Sequence, residues 1–83
     1  MSAATHRQAL AARVGARLRG TRKARRLSQG DIASLLNVNP AEVSRHETGQ
    51  RCPTVPLLAR YAEVLDVPLS DLLDFEAPIR GPA

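Results

Sequence analysis

The fold is decided by residues 27–49, which read LSQGDIASLLNVNPAEVSRHETG. Ser28 precedes the first apolar stretch, and Asp31 follows it by three positions, which is the spacing of a capping box at a helix N-terminus. Asn37 stands where the chain must reverse, and asparagine is the non-glycine residue that best tolerates a left-handed turn conformation. This part of the stretch therefore predicts a short helix that ends in a tight turn.

A second helix start follows directly after this turn. Asn39 can cap the helix, Pro40 falls at the first helical position, where a missing N–H costs nothing, and Glu42 has the spacing of another capping box. Gly49 then supplies a helix stop. Two short capped helices joined by a tight turn make a helix-turn-helix, whose second helix is the natural reader of DNA.

Length and composition predict one small helical domain. The chain has 83 residues, enough for a modest core. Tyr61 and Phe75 are its only aromatic residues, so the core must consist mainly of aliphatic side chains. The sequence shows helical spacing of apolar residues and no strand-like alternation. We therefore expect an all-α fold, a compact bundle of five short helices.

Three further helices are expected around the motif. Leu10, Val14 and Leu18 repeat at helical spacing in a first helix. Thr54 can cap a fourth helix, and a short fifth helix is expected at 68–73. The motif thus lies in the middle of the bundle.

These elements suggest a flexible N-terminal arm at 1–9, a helix-turn-helix domain at 10–75 and a loose C-terminal tail at 76–83. The acid-free N-terminus also fits an organellar transit peptide, but its helical repeat favours a structural helix. No apolar stretch is long enough for a secretory signal or a membrane span. We therefore expect a cytoplasmic, nucleoid-associated protein without membrane contact.

Charge is unevenly distributed along a chain of formal net charge +4. Residues 1–30 contain many arginines and no Asp or Glu, whereas acids outnumber bases after residue 54. The basic end suits a polyanion. A solvated helix face is the alternative interpretation, but the neighbouring helix-turn-helix favours nucleic acid.

Catalytic and metal-binding patterns are missing from the sequence. Cys52 is the only cysteine, so an internal disulfide or a cysteine metal cluster is impossible. Arg51 beside it could make it a redox sensor, although an ordinary loop residue is the simpler interpretation. His6 and His46 are isolated, and no nucleophile, base and acid stand at a recognisable spacing. We expect no enzyme activity, cofactor, metal or small-molecule substrate.

Matched spacings in six segments carry a family resemblance. The segments are Val14-Gly15-x-Arg17-Leu18-x-x-x-Arg22, Leu27-Ser28-Gln29, Ile32-Ala33-x-x-Leu36-x-Val38, Val43-Ser44-Arg45-x-Glu47-x-Gly49, Pro53 with Leu57-Leu58, and Val67-Pro68-Leu69-Ser70-Asp71-Leu72-Leu73. Over about residues 13–75 the chain resembles the Cro and phage-repressor-like helix-turn-helix domains of the XRE class. The resemblance implies a lambda-repressor-like DNA-binding domain.

The resemblance also implies roles for individual positions. Helix three, about residues 39–48, would read bases in the major groove of double-stranded DNA, with the candidates Asn39, Pro40, Ala41, Glu42, Ser44 and Arg45. Backbone phosphates would be held by Arg22, Ser28, Gln29, Thr48, Gln50, Arg51 and Thr54. Arg22 and Glu47 would form a salt bridge between helices one and three.

The candidate side chains differ in which bases they can recognise. Arg45 is the only candidate suited to bidentate guanine contact, Ala41 can touch a thymine methyl, and Asn39 can pair with adenine. Asn37 replaces the glycine common in this turn. His46 stands where an apolar residue is usual, and we expect a half-buried core histidine there.

The function expected from the resemblance is a transcriptional regulator, a repressor or autoregulator that binds an inverted repeat as a homodimer. Its dimer or partner surface would comprise Leu69, Leu72, Leu73, Phe75 and Ile79. One alternative is an antitoxin or adaptor that uses this surface to bind a partner protein. Another is RNA binding through the basic first helix, which lacks the aromatic residues that single-stranded RNA modules use for stacking.

Overall fold

Five helices make up the fold. The computed structural model describes residues 3–79, with helices α1 (Ala3–Ala24), α2 (Gln29–Leu36), α3 (Pro40–Thr48), α4 (Val55–Leu65) and α5 (Leu69–Leu73). Within residues 3–79 there is no strand, so the predicted all-α bundle of five helices is confirmed. None of these described helices combines the length and apolar character needed to cross a membrane.

Every helix contributes to one aliphatic core. The fully buried side chains include Val14 and Leu18 from α1, Ile32 and Leu36 from α2, Val43 from α3, Tyr61 and Leu65 from α4, and Leu72 from α5. The helices are too short to be stable alone, and burial of these faces is what stabilises them.

Leu72 corrects one prediction. We expected it on the dimer or partner surface, but it is fully buried, whereas Leu73 beside it is 46% exposed. Consecutive residues of a helix point about 100° apart, so a helix as short as α5 can direct only one of these two leucines into the core. The prediction for Leu72 was therefore wrong.

The turn chemistry of the motif is as predicted. Ser28 Oγ accepts from the backbone N–H of Asp31 at 2.9 Å, and Asp31 Oδ2 accepts from the backbone N–H of Ser28 at 2.8 Å. Asn37 ends α2 in the left-handed conformation, with φ 57° and ψ 48°. The capping box and the turn residue are both confirmed.

Helix α3 begins and ends where expected, with one difference. Asn39 Oδ1 accepts from the backbone N–H of Ala41 at 2.9 Å, and Gly49 ends the helix with φ 79°. The second capping box does not form, because the Glu42 carboxylate accepts from the Arg45 and Arg51 guanidinium groups instead. Competition from two nearby cations overrides the local pattern.

Both ends of the described chain are more ordered than predicted. Helix α1 starts at Ala3, so the expected flexible arm is helical over residues 3–9, because neither glycine nor proline interrupts it before Gly15. At the other end, the Arg17 guanidinium donates to the carbonyl of Ala77, so residues near 77 are held against α1 rather than loose. The remainder of the arm and tail, residues 1–2 and 80–83, lies outside the described residues.

Three arginines stabilise helix C-termini across the bundle. Arg17 Nε donates to the carbonyl of Asp71 at 2.6 Å, Arg25 Nη2 to that of Asp66 at 3.0 Å, and Arg60 Nη2 to that of Leu36 at 2.6 Å. The last carbonyls of a helix lack intrahelical partners and favour cations. Arg17 and Arg25, two cations of the basic N-terminal run, therefore have structural roles. Fewer cations of this run remain available to bind a polyanion.

Helices α1 and α3 approach each other backbone to backbone. A Cβ atom at Gly15 would overlap the carbonyl oxygens of His46 and Glu47. A Cβ atom at Gly49 would also come close to the backbone of Ala12, at 2.9 Å from its Cα. The contact between α1 and α3 is the most extensive in the bundle, so the longest helix supports the predicted DNA reader, with close approaches at His46, Glu47 and Gly49.

Candidate nucleic-acid interface

One side of α3 faces solvent, and we call it the recognition face, formed by Asn39, Pro40, Ala41, Ser44 and Arg45. All are exposed except Ser44, which is half-buried. The opposite side of the helix, with Val43, His46 and Glu47, is buried against the core. The helix thus offers its polar side to a partner while its other side fixes its orientation.

The hydrogen bonds of the recognition face limit what it can read. Asn39 Oδ1 is engaged in capping α3, so its NH2 group is the part left for a base, and this weakens the bidentate pairing with adenine that its side chain would otherwise offer. Arg45 is the one guanidinium on α3, and it can donate two parallel hydrogen bonds to guanine. Arg45 is therefore the main candidate for base recognition.

The predicted phosphate contacts lie at the start of α2 and in the segment after α3. Gln29 Nε2 donates to Glu47 Oε1 at 3.1 Å, which ties the start of α2 to α3. Ser28 and Thr54 cap α2 and α4 as acceptors, so each hydroxyl can still donate to a phosphate. Beyond α3, Gln50 and Arg51 are exposed.

Thr48 completes this set at the end of α3. It is exposed, and its Oγ1 donates to the carbonyl of Arg45 at 3.3 Å. Its side chain is therefore held close to the backbone of the recognition helix, on the side that leads into the Gln50–Arg51 segment.

Arg22 and Glu47 form a buried ion pair. Arg22 Nε lies 2.7 Å from Glu47 Oε2, and Arg22 Nη2 lies 3.0 Å from Glu47 Oε1. Arg22 Nη1 donates to the carbonyl of Leu27 at 2.8 Å. Three of the five N–H donors of Arg22 thus bind acceptors within the protein, and the residue is only 9% exposed. Its predicted phosphate contact stays a prediction, while its part in the ion pair is evident.

The surroundings of Glu47 keep it ionised. Burial alone would raise the pKa of Glu47, but the hydrogen bonds from Arg22 and Gln29 outweigh that effect and lower its pKa below the ordinary value. The same hydrogen bond to Glu47 raises the pKa of Arg22. This ion pair joins α1 to α3 near the C-terminal end of α3.

His46 lies fully inside the core, not half-buried as expected. It is 2% exposed, its Nδ1 is 2.7 Å from the Tyr61 hydroxyl, and the two rings meet edge to face with centroids 5.7 Å apart. Burial lowers the pKa of His46, the nearby Glu42 raises it, and Arg51 lowers it further, with a net decrease. The histidine is therefore neutral in the folded protein near pH 7.

This environment predicts an acid-sensitive core. As pH falls below about 6.5, the ordinary pKa of histidine, His46 is protonated in the unfolded chain but still neutral in the folded one. The free energy of unfolding is therefore highest above that pH, and it decreases as the pH falls to the lowered pKa of the folded state. Urea unfolding at pH 7 and pH 5 should show a decrease in the wild type of up to about 1.4 kcal/mol per pH unit. His46→Gln, which keeps a polar partner for Tyr61, should flatten this dependence, and an unchanged slope would contradict it.

Arg7 is a candidate that the sequence did not reveal. Because α1 starts at Ala3, its first turns are carried to the segment that follows α3, where Arg7 and Gln8 line one concave surface with Gln50 and Cys52. A flexible arm at residues 1–9 gives Arg7 no fixed position, so the sequence places it in the basic N-terminal run but not among the candidate contacts. Helical continuity from Ala3 to Gly15 is the signal that could have placed it.

Other sites are not evident in the described part of the chain. Cys52 is exposed. Among residues 3–79, no group of three or more His, Cys, Asp or Glu side chains is arranged to hold a metal ion.

Comparison with known proteins agrees with this geometry. A profile of the helix-turn-helix domain family matches residues 13–75. A search of curated protein sequences gave no significant match. Among solved structures, the restriction-modification controller protein C.AhdI from Aeromonas hydrophila is 32% identical, with a TM-score of 0.72 over 75% of this chain and 94% of that chain.

Two further solved structures are similar. The clp gene regulator ClgR from C. glutamicum is 27% identical, with a TM-score of 0.76 over 80% of this chain and 86% of that chain. An HTH_3 family transcriptional regulator from Vibrio cholerae is 26% identical, with a TM-score of 0.77 over 84% of this chain and 39% of that chain. The fold is thus that of DNA-binding transcription regulators. The chain belongs to the helix-turn-helix family, in the XRE class of transcription regulators.

Proposed function

We propose that this regulator is a repressor or autoregulator that binds an inverted repeat in double-stranded DNA as a homodimer, in the cytoplasm at the nucleoid. The observation that carries the proposal is the recognition face, an exposed polar side of a helix whose other side is fixed in the core. An α-helix of this kind fits the major groove of B-DNA. Each protomer would place α3 in one half-site.

Within each half-site, we assign base reading mainly to Arg45. Its guanidinium would donate to O6 and N7 of a guanine, while Ala41 and Pro40 would make apolar contact with a thymine methyl. Asn39 would donate its free NH2 group to a base acceptor, and Ser44 and Glu42 lie beside these residues. Few hydrogen-bonding groups remain at the tip of α3, so DNA shape would supply part of the specificity.

Phosphate contacts would surround this base-reading helix. Ser28 and Gln29 lie at the positive N-terminal end of α2, which favours an anion. On the other side, Thr48, Gln50, Arg51 and Thr54 follow the recognition face, and Arg7 lies close to Gln50. These contacts would fix the register of the protein on DNA and make its affinity depend strongly on salt.

Dimerisation would use the C-terminal part of the fold. Leu73 is 46% exposed and Ile79 41% exposed, beside the half-buried Leu69 and Phe75. Among them, Phe75 and Ile79 line one concave surface, and exposed apolar side chains favour contact with another protein surface. A second copy of this chain would place two recognition helices on one face of the DNA, which matches an inverted repeat.

Fluorescence anisotropy with the DNA upstream of the protein's own gene, compared with a scrambled duplex across a salt series, tests the proposal. We expect a preference for the upstream duplex that Arg45→Ala reduces by about 1–3 kcal/mol, the contribution of one bidentate base contact. Lys23→Ala, which removes an exposed cation of α1, is the matched control. It should affect both duplexes equally, because Lys23 lies outside the recognition face and its charge attracts any phosphate backbone without regard to sequence.

Each outcome has a definite meaning. Equal binding to both duplexes by the wild type would refute sequence-specific reading, and no binding would favour the role of an antitoxin or adaptor that binds a partner protein. Analytical sedimentation should show a dimer at a protein concentration of roughly tens of micromolar, since dimerisation depends on protomer concentration. A monomer that binds DNA without cooperativity would refute the homodimer.

A further inference from the structure

The Glu42 carboxylate binds two of the cations that the proposed function assigns to DNA. Glu42 Oε1 accepts from Arg45 Nη1 at 2.9 Å. The same carboxylate accepts from Arg51 Nη1, with distances of 3.2 Å to Oε1 and 3.3 Å to Oε2. One anion on the first turn of α3 thus joins the main base reader to a phosphate-contact residue of the following segment.

The Glu42 carboxylate lies next to the buried side of α3. Its side chain is 27% exposed, and its Oε2 lies 3.7 Å from Nε2 of the buried His46. His46 in turn contacts the Tyr61 hydroxyl through its other ring nitrogen. The carboxylate therefore rests on the core, while the two arginines that it binds are more exposed, at 47% for Arg45 and 63% for Arg51.

This arrangement makes the free protein less attractive to DNA of arbitrary sequence. Non-specific affinity comes from cations that replace the counterions of phosphates. Glu42 occupies hydrogen-bond donors of two such cations and adds a negative charge where phosphates would approach. Because Glu42 binds Nη1 of both arginines, a duplex must displace the carboxylate to use those nitrogens fully, and until it does so it meets two cations whose charge is partly neutralised.

A cognate site can make this exchange, whereas an arbitrary duplex cannot do so fully. Guanine offers Arg45 two acceptors in bidentate geometry, and correct docking brings a phosphate to Arg51. On a duplex without the guanine, Arg45 has no equivalent acceptor and keeps its bond to Glu42. The carboxylate thus lowers the affinity for non-cognate DNA more than the affinity for the cognate site. Specificity rises because the competing interaction penalises the non-cognate complex more strongly.

We propose that Glu42 is a specificity-determining residue that competes with DNA for Arg45 and Arg51 and so suppresses binding to non-cognate DNA. The inference rests on the proposed function, since it requires α3 to meet DNA. It differs from a direct base contact by Glu42, in which the carboxylate would accept from cytosine N4 and strengthen binding to the cognate site.

Glu42→Gln tests the proposal on a random-sequence duplex, for which no operator needs to be known. We expect tighter binding than for the wild type by about fivefold or more near 0.1 M salt, and a salt slope steeper by about 1–2 as the two arginines become available to phosphates. Glu63→Gln is the matched control, because Glu63 is an exposed acid on α4 and its loss makes the same change in net charge. Circular dichroism checks that both variants keep the wild-type helix content.

The outcomes separate this inference from the proposed function. If the wild type binds duplex DNA and Glu42→Gln behaves as Glu63→Gln does, only total charge matters and the competition is refuted. If Glu42→Gln weakens binding to the upstream duplex and leaves the random duplex unchanged, Glu42 is a direct base contact and the competition is again refuted. If neither the wild type nor the variants bind any duplex at low salt, the proposed function itself fails, and the inference fails with it.

Discussion

Replacing Glu47 with alanine should lower the free energy of unfolding by about 3–5 kcal/mol, because it leaves the Arg22 guanidinium buried without its counter-charge. Both side chains of this ion pair are buried, at 11% and 3% exposed. The change also removes the acceptor for Gln29. Small domains have only about 5–15 kcal/mol of stability, so the variant should be partly unfolded near physiological temperature.

Urea unfolding monitored by circular dichroism measures this loss. Glu63→Ala is the control, since Glu63 is exposed and its removal should change stability by less than about 0.5 kcal/mol. The double variant Arg22→Met with Glu47→Leu should recover most of the stability, because apolar side chains of similar size can replace a buried ion pair. A loss below about 1 kcal/mol in Glu47→Ala would show that the pair contributes as little as an exposed one.

The same ion pair gives stability a second dependence on pH, at more acidic values than that of His46. The folded-state pKa of Glu47 is lowered by the hydrogen bonds from Arg22 and Gln29, which outweigh its burial. Its contribution is therefore complete above the pKa of an unfolded glutamate, about 4.3, and is lost as pH falls through the lowered folded value.

Gly15→Ala should destabilise the protein by about 3 kcal/mol, the upper part of the range for overpacked cores. In an isolated helix the change would be favourable by about 1 kcal/mol, because alanine has a higher helix propensity than glycine. Here the added methyl group overlaps the carbonyl oxygens of His46 and Glu47, which are backbone atoms of α3 and cannot rotate away. The two helices must separate, and this loosens the support of the recognition face.

Gly30→Ala is the matched control within the same chain. Gly30 lies in α2, and a Cβ atom there would meet only Ser28 Oγ at the ordinary contact distance of 3.6 Å. Because Gly30 is the second residue of α2, we expect a small gain, below the roughly 1 kcal/mol that helix propensity gives in a helix interior. Thermal unfolding of the two variants should give shifts of opposite sign, and a stabilised Gly15→Ala would mean that α1 and α3 are not in close backbone contact.

The features that could be predicted from the sequence are those that depend on neighbouring residues. The caps at Ser28, Asn39 and Thr54, and the left-handed turn at Asn37, each involve atoms within a few positions of one another. Such bonds form as soon as the helix forms, so the residue types and spacing are sufficient evidence. Helices α2, α3 and α4 follow from these signals, and α1 follows from the helical spacing of Val14 and Leu18.

The features that could not be predicted depend on contacts between distant elements. Leu72 and Leu73 are equivalent in a local pattern, and only the docking of α5 decides which one is buried. Glu42 has the spacing of a capping box, but Arg51, nine positions away, contributes to drawing its carboxylate elsewhere. Arg17 resembles its basic neighbours in sequence, yet its acceptors are 54 and 60 positions away.

The buried side of α3 has a consequence for how the motif can be used outside this protein. Residues 27–49 contain both helices of the motif, but the partners of that side lie elsewhere: Arg22 and Gly15 precede the segment, and Tyr61 follows it. An excised peptide, or a graft of this segment onto another scaffold, would leave His46 and Glu47 without those partners. The proposed DNA reader is therefore not a transplantable unit, and engineering of new specificity should alter the recognition face within the intact chain.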